Sequence, residues 1–178
     1  VNTGGIYRLG GTTTVTGALT IDSANLGTTF THNSGAFVFS GATSAALTFN
    51  GTASGPTFYN MTFSGSTPST KTLFSNFTVA NTLSYVPLGT AHVNGSGSPT
   101  IHLYGDFSTS NPFGSYFGSA TAGENFTVSM EDPDATPTAK LVIRAAATIT
   151  QIKANLTIAK NPTSTVTLNT NSFPLTAP

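Results

Sequence analysis

Glu131, Asp132 and Asp134 place three carboxylates within four residues, and oxygen-rich loops of that kind hold Ca²⁺ through several carboxylate and carbonyl oxygens. The spacing is not that of an EF-hand loop, and Pro133 interrupts it, so a solvated loop stands beside a Ca²⁺ site as the reading of these acids. Otherwise no cofactor is expected. The same three acids do not make a glycan-cleaving pair, because a general acid and its base must face each other across a cleft. His32, His92 and His102 are scattered, with no HExxH arrangement and no cysteine to complete a zinc site. No Gly-x-Ser-x-Gly elbow is present. The doublets Gly4-Gly5 and Gly10-Gly11 lack the Gly-Lys-Ser/Thr of a phosphate loop and read as turns. The expectation is that the chain is not an enzyme.

Six asparagines, Asn50, Asn60, Asn76, Asn94, Asn125 and Asn155, stand two residues before Ser or Thr and match the N-glycosylation acceptor pattern. Four of them belong to a recurring word of the sequence, in which Asn suits a corner and Thr the strand that follows. Structural corners and glycan acceptors are therefore both open for these positions. Tyr59, Tyr85, Tyr104 and Tyr116 would stack on sugars if they shared an outer face, although such residues more often cover a core or sit at corners. The Thr12-Thr13-Thr14-Val15-Thr16 stretch resembles a flat ice-binding face only loosely, because its Thr spacing does not repeat regularly along the chain.

The recurring word is a small or amide residue followed by apolar, hydroxyl and apolar residues. Its clearest copies are Asn60-Met61-Thr62-Phe63, Asn76-Phe77-Thr78-Val79, Asn125-Phe126-Thr127-Val128 and Asn155-Leu156-Thr157-Ile158, with relatives at Leu19, Leu47 and Phe107. Alternation of this kind describes a strand with one apolar face. It predicts that Leu47, Met61, Phe77, Phe126 and Leu156 point inward, and that Thr48, Thr62, Thr78, Thr127 and Thr157 point outward. The spacing of the words suggests a coil of about 30 residues with corners at half-coil intervals, within the range of solenoids. The wider step from Phe107 to Phe126 predicts an insertion there. Asn50-Gly51, Ser54-Gly55-Pro56, Asn94-Gly95-Ser96-Gly97 and Asn161-Pro162 supply the turns. The run from Leu141 to Ala147 mixes helix and strand preferences and is read as strand.

Composition narrows the function classes. Charged residues make up only 7% of the 178, while Thr contributes 34 and Ser 19, so hydroxyls and amides must keep the surface soluble. Thr, Val and Phe favour pleated, half-buried surfaces. Six basic and six acidic residues give zero formal charge, which supplies no electrostatic footprint for nucleic acid or an anionic membrane. Eight of the twelve charged residues fall between Glu124 and Lys160, which suggests a contact surface. No run approaches the roughly 18 apolar residues that read as a membrane-spanning helix, so no membrane insertion is expected. With no cysteine, backbone pairing and packing must hold the chain together. The chain starts at Val1 without a leader and reads as a processed product or a fragment.

Leu47-Thr48-Phe49-Asn50-Gly51-Thr52, then Thr57-Phe58-Tyr59-Asn60-Met61-Thr62-Phe63 and Thr72-Leu73-Phe74-Ser75-Asn76-Phe77-Thr78-Val79, resembles the repeats of bacterial cell-surface β-solenoid proteins of the adhesin and stalk type. The likeness continues through His102-Leu103-Tyr104-Gly105-Asp106-Phe107-Ser108 and covers about residues 10 to 110. Glu131-Asp132-Pro133-Asp134 departs from the pattern. The resemblance implies an all-β, right-handed parallel β-helix of Thr-rich repeats in a secreted or cell-surface extracellular chain, and it implies no reaction. The alternative fold is a β-sandwich filament subunit whose apparent repeats are antiparallel strands. The expected organisation is a single β-repeat domain over residues 1–178, part of a longer chain or a filament protomer. Its expected function is structural or adhesive, as a module or subunit of a surface fibre or filament. The alternatives are a carbohydrate-binding or carbohydrate-active β-helix and a strand-donating pilus subunit. Expected partners are further copies joined head to tail, flanking repeats of the same chain, and surface glycans.

Overall fold

The computed structural model describes residues 6–8, 10–22, 29–50, 55–66, 69–86, 92–109, 116–117, 126–131, 139–143, 151–152, 155–159 and 166–169. Their strands are short, because turn residues interrupt the Thr-rich runs every few positions. In chain order they are β1 (Ile6–Arg8), β2 (Thr12–Val15), β3 (Leu19–Asp22), β4 (Thr29–Thr31), β5 (Ala36–Gly41), β6 (Ala45–Asn50), β7 (Thr57–Gly65), β8 (Thr70–Leu73) and β9 (Phe77–Tyr85). They continue as β10 (His92–Gly95), β11 (Thr100–Leu103), β12 (Asp106–Thr109), β13 (Tyr116–Phe117), β14 (Thr127–Glu131), β15 (Ala139–Ile143), β16 (Gln151–Ile152), β17 (Asn155–Ala159) and β18 (Val166–Asn169). No helix occurs among the described residues.

Every pairing among these strands is parallel, and each strand lies beside the strand one coil away. The chain is an all-β solenoid. The antiparallel sandwich is thereby corrected: strands of like direction cannot be joined by hairpins and need a long crossover, which here is the rest of each coil. One column of strands runs β3-β6-β8-β10-β13-β16. A second runs β2-β5-β7-β9 and divides at β9. The first half of β9 pairs with β11, which leads to β14 and β17, and its second half pairs with β12, which leads to β15 and β18.

The division has a local cause. Phe58 pairs with Val79 and Asn60 with Thr82, so Tyr59 faces two residues, Ala80 and Asn81. The extra residue is a β-bulge, which bends a strand. In the next coil the strand breaks outright at Tyr104 and Gly105. A methyl group built on Gly105 would run into the carbonyl oxygen of Asn81, so only glycine lets this backbone approach the bulge.

The coil is shorter than the word spacing suggests. Register partners lie 21 to 28 residues apart through most of the ladders, as in Leu19 with Leu47, Met61 with Leu83 and Val79 with Leu103. The words recur in different columns: Leu47 belongs to the first, while Met61 and Phe77 lie on either side of the bend in the second. The insertion also falls elsewhere. Leu103 and Met130 are 27 residues apart, but Phe107 and Leu141 are 34 apart, so the added residues enter between Glu131 and Ala139.

Inward rows form one apolar core. Phe37, Met61, Leu83 and Phe107 are register partners in successive coils, and all are buried. Phe49, from the opposite column, meets Phe58 at 5.5 Å and Phe77 at 5.7 Å between ring centroids, in tilted and edge-on geometries that aromatic quadrupoles favour. Each such ring removed from water stabilises the fold by about 1.5–3 kcal/mol. Leu47, Met61, Phe77 and Phe126 are buried as the alternation predicts, and Thr48, Thr62 and Thr127 are half-exposed. Thr78 differs: it sits in the outward row between Thr57 and His102, yet only 4% of it is exposed. Leu156 and Thr157 carry side chains outside the described residues.

Candidate functional site: the outer face of the bend

The bulge gathers polar and aromatic side chains from several coils onto one outer line. His32 precedes a tight turn in which the Gly35 N–H donates to the His32 carbonyl oxygen at 2.7 Å. Asn33 and Ser34 adopt φ values of 44° and 56°, a left-handed conformation that turns the chain sharply. The Ser34 N–H donates to His32 Nδ1 at 3.0 Å, which leaves Nε2 to carry the proton of a neutral ring. The turn lays the imidazole against Tyr59, with centroids 5.4 Å apart and planes 24° from parallel.

Below Tyr59 come Ala80 and Asn81 and then, one coil further, Tyr104, whose N–H donates to the Val79 carbonyl oxygen. Asn81 Nδ2 donates to Asn60 Oδ1 at 2.8 Å, tying two coils together beside the tyrosines. On either side of Tyr104, in the same outward alternation, stand His102 and Asp106, both half-exposed, and Asp106 is the register partner of Thr82. The line therefore reads His32, Tyr59, Asn81 and Tyr104 along the solenoid axis, with Asn60, His102 and Asp106 at its margins. Flat rings with amides, imidazoles and a carboxylate beside them can stack on C–H faces and hydrogen-bond to hydroxyls.

The tyrosines thus divide. Tyr59 and Tyr104 share an outer face, Tyr85 is buried at 1% exposure, and the side chain of Tyr116 lies outside the described residues. The histidines do not converge: His92 belongs to β10 in the other column. Among the described residues no group of three or more His, Asp or Glu side chains forms a metal site. Glu131 ends β14 opposite Ala159 with its side chain outside the described residues, and Asp132 and Asp134 lie wholly outside them.

The acceptor-pattern asparagines occupy different environments. Asn50 is exposed at the end of β6. Asn60 takes the hydrogen bond from Asn81, and Asn76 Oδ1 accepts from the Thr100 N–H at 2.7 Å, one coil away. Asn94 Oδ1 is buried without a hydrogen-bond partner. Asn125 and the side chain of Asn155 lie outside the described residues.

One residue escaped sequence reasoning altogether. Lys71 faces inward on β8, between Ala45 and Val93, and is 1% exposed. Its Nζ donates to the carbonyl oxygens of Thr43 at 2.6 Å and Gly41 at 3.2 Å and lies 5.5 Å from the centre of the Phe39 ring. Burial lowers its pKa below the ordinary value of 10.5. The available signal was alternation: Thr70-Lys71-Thr72-Leu73 puts Lys71 on the same face as Leu73.

Comparison with protein-family models, with curated proteins and with solved structures found no match.

Proposed function

We propose that this chain is a rigid module of an extracellular surface fibre or stalk, of the bacterial adhesin type that its repeats resemble, and that it works through its length and its outer face rather than by catalysis. The observation that supports this reading most directly is the succession of parallel ladders from coil to coil among the described residues. Each coil hydrogen-bonds to the next through its backbone, so adding coils adds length along one axis at nearly constant cross-section. Thr14, Val38, Thr62, Ser84 and Ser108 form one outward row, in which hydroxyls meet water without long charged side chains. The terminal strand of a ladder presents unpaired N–H and C=O groups, which suits flanking repeats of the same chain or a second copy joined head to tail.

Antibodies raised against this chain, applied to native cells in immunogold electron microscopy, test the reading. The expected result is label along thin projections outside the cell envelope. Label confined to the cell interior overturns it.

A further inference from the structure

From the outward columns of β2, β5, β7 and β9 we infer that this face of the solenoid binds ice. Thr14, Val38, Thr62 and Ser84 are register partners in successive coils, and Thr12, Ala36, Asn60 and Thr82 form a second column beside them. Ser40 and Ser64 begin a third. The activity goes beyond the fibre-module reading and does not rest on it.

Geometry selects a crystalline partner. Coils pair about 4.8 Å apart, and alternate residues of a parallel strand lie roughly 6.6 Å apart, so the columns make a nearly rectangular grid. The prism face of hexagonal ice repeats at a slightly shorter distance in one direction and a slightly longer one in the other. Across β2, β5, β7 and β9 the mismatch between coils stays below half a repeat. The grid is fixed from beneath, because the alternate positions Phe37, Phe39, Met61, Phe63, Leu83 and Tyr85 are all buried in the core. Thr and Val have stiff χ1 angles, so their methyls and hydroxyls are in place before any ligand arrives and little freedom is lost on binding. Regularity that the threonines lack along the chain is thus supplied across the coils by register.

Chemistry selects water in its solid form. No side chain in these columns is charged, aromatic or longer than Asn. Protein interfaces are anchored by Tyr, Trp and Arg, with Ser, Thr and Val under-represented, and sugars are gripped by rings, so the face lacks the anchors of either partner. It carries hydroxyls, which donate to and accept from water, set between methyl groups, beside which water is orientationally restricted. Asn60, whose Oδ1 accepts from Asn81, closes the face at the bend. One coil beyond β9 the grid ends, where Asp106 follows Thr82 in its column with Lys140 of β15 beside it. Charged groups hold liquid water in their own shells, so the inference is confined to β2, β5, β7 and β9.

Nanolitre osmometry of the full chain tests the inference by measuring the gap between the melting and freezing points of a seed ice crystal, with inhibition of ice recrystallisation as a second readout. The expected result is a measurable gap, faceted crystals and smaller ice grains than an equal concentration of a non-binding protein leaves. Thr62→Lys, which places a long charged side chain near the centre of the grid, should lower the gap several-fold. Thr48→Lys, on the half-exposed outward row of β6, should leave it unchanged. Circular dichroism of each variant checks folding, and Thr14→Lys on the exposed row of β2 repeats the test should Thr62→Lys unfold. Neither gap nor recrystallisation inhibition from the folded parent chain overturns the inference, as does a gap that Thr48→Lys lowers as much as Thr62→Lys. A dimer in analytical ultracentrifugation that Thr62→Lys dissociates, with no ice activity in the parent chain, overturns it in favour of a second copy on this face. The immunogold result stands apart from these outcomes, since it reads location alone.

Discussion

The ammonium of Lys71 is bonded to the carbonyl oxygen of Thr43 across one full coil, so a buried cation ties the corner of one turn of the solenoid to the strand of the next. The aliphatic stem fills an inward position that Val93 fills in the neighbouring coil. Removing the side chain takes the ammonium donor from the Thr43 carbonyl, leaves the Gly41 carbonyl with the Ser66 N–H, and opens space in the core. Lys71→Ala should therefore destabilise the fold by about 3–5 kcal/mol, and Lys71→Met, which restores the volume but not the donors, by about 1–3 kcal/mol. The midpoints of urea unfolding give both values, and an unchanged midpoint for Lys71→Ala contradicts the tie.

The same residue sets a pH dependence. Its folded pKa lies below its unfolded value of 10.5, because burial disfavours the charged form. Between the two values the unfolded chain binds more protons, so stability from this group rises as pH climbs from the lowered value toward 10.5 and is absent below it. The neutral amine still has hydrogens for both carbonyl oxygens. The difference in unfolding free energy between the parent chain and Lys71→Met should thus widen with rising pH in that window. A difference that narrows there contradicts the assignment.

Phe77 and the threonines separate core from surface. Phe77→Ala removes a ring packed against Phe49 and Phe58 and should cost about 3–5 kcal/mol. Thr62→Ala, on the half-exposed row, should stay within about 0.5 kcal/mol of the parent chain. Thr78→Ala should fall between the two, because its neighbours cover it. Equal losses for Thr62→Ala and Phe77→Ala in chemical denaturation would show that the inward and outward rows are misassigned.

At the bend, Gly105→Ala should be far more damaging than Gly10→Ala. A methyl on Gly105 collides with the Asn81 backbone, which cannot swing aside as a side chain can, whereas nothing lies within 4 Å of a methyl on Gly10. Thermal melts should show a loss of about 2 kcal/mol or more for the first. Similar melts for both variants would mean that the strand does not bend there.

Asn76 joins two coils through its side chain. Asn76→Ala should cost about 1 kcal/mol by leaving the Thr100 N–H unsatisfied, while Asn76→Asp keeps an acceptor and should cost less. Hydrogen exchange at the Thr100 amide reads the bond directly: protection should drop in Asn76→Ala and persist in Asn76→Asp.

The sequence made the strands, their parallel stacking and most of the inward set legible. Leu47, Met61, Phe77 and Phe126 announce themselves by alternation, which depends only on local geometry. Coil length was not legible by the same means. Any inward strand segment repeats the same word, so Met61 and Phe77 look like successive copies although they lie on two sides of one bend. Lys71 was hidden because its charge argues for the surface, and only the corner carbonyls of Gly41 and Thr43 make its burial tolerable. The outer line was hidden for a related reason. His32 and Tyr59 meet because 21 to 28 residues make a coil, and without that number no pattern joins them.

The added residues fall between Glu131 and Ala139, and the strands on both sides keep their register: Met130 pairs with Ile158 and Leu141 with Leu168. The chain can thus change length between β14 and β15 without a change in either ladder's pairing. Foreign peptides grafted there should leave both ladders paired as they are. Lineages could diversify what the rod displays by insertion and deletion at this one elevation, with no compensating change in the strands.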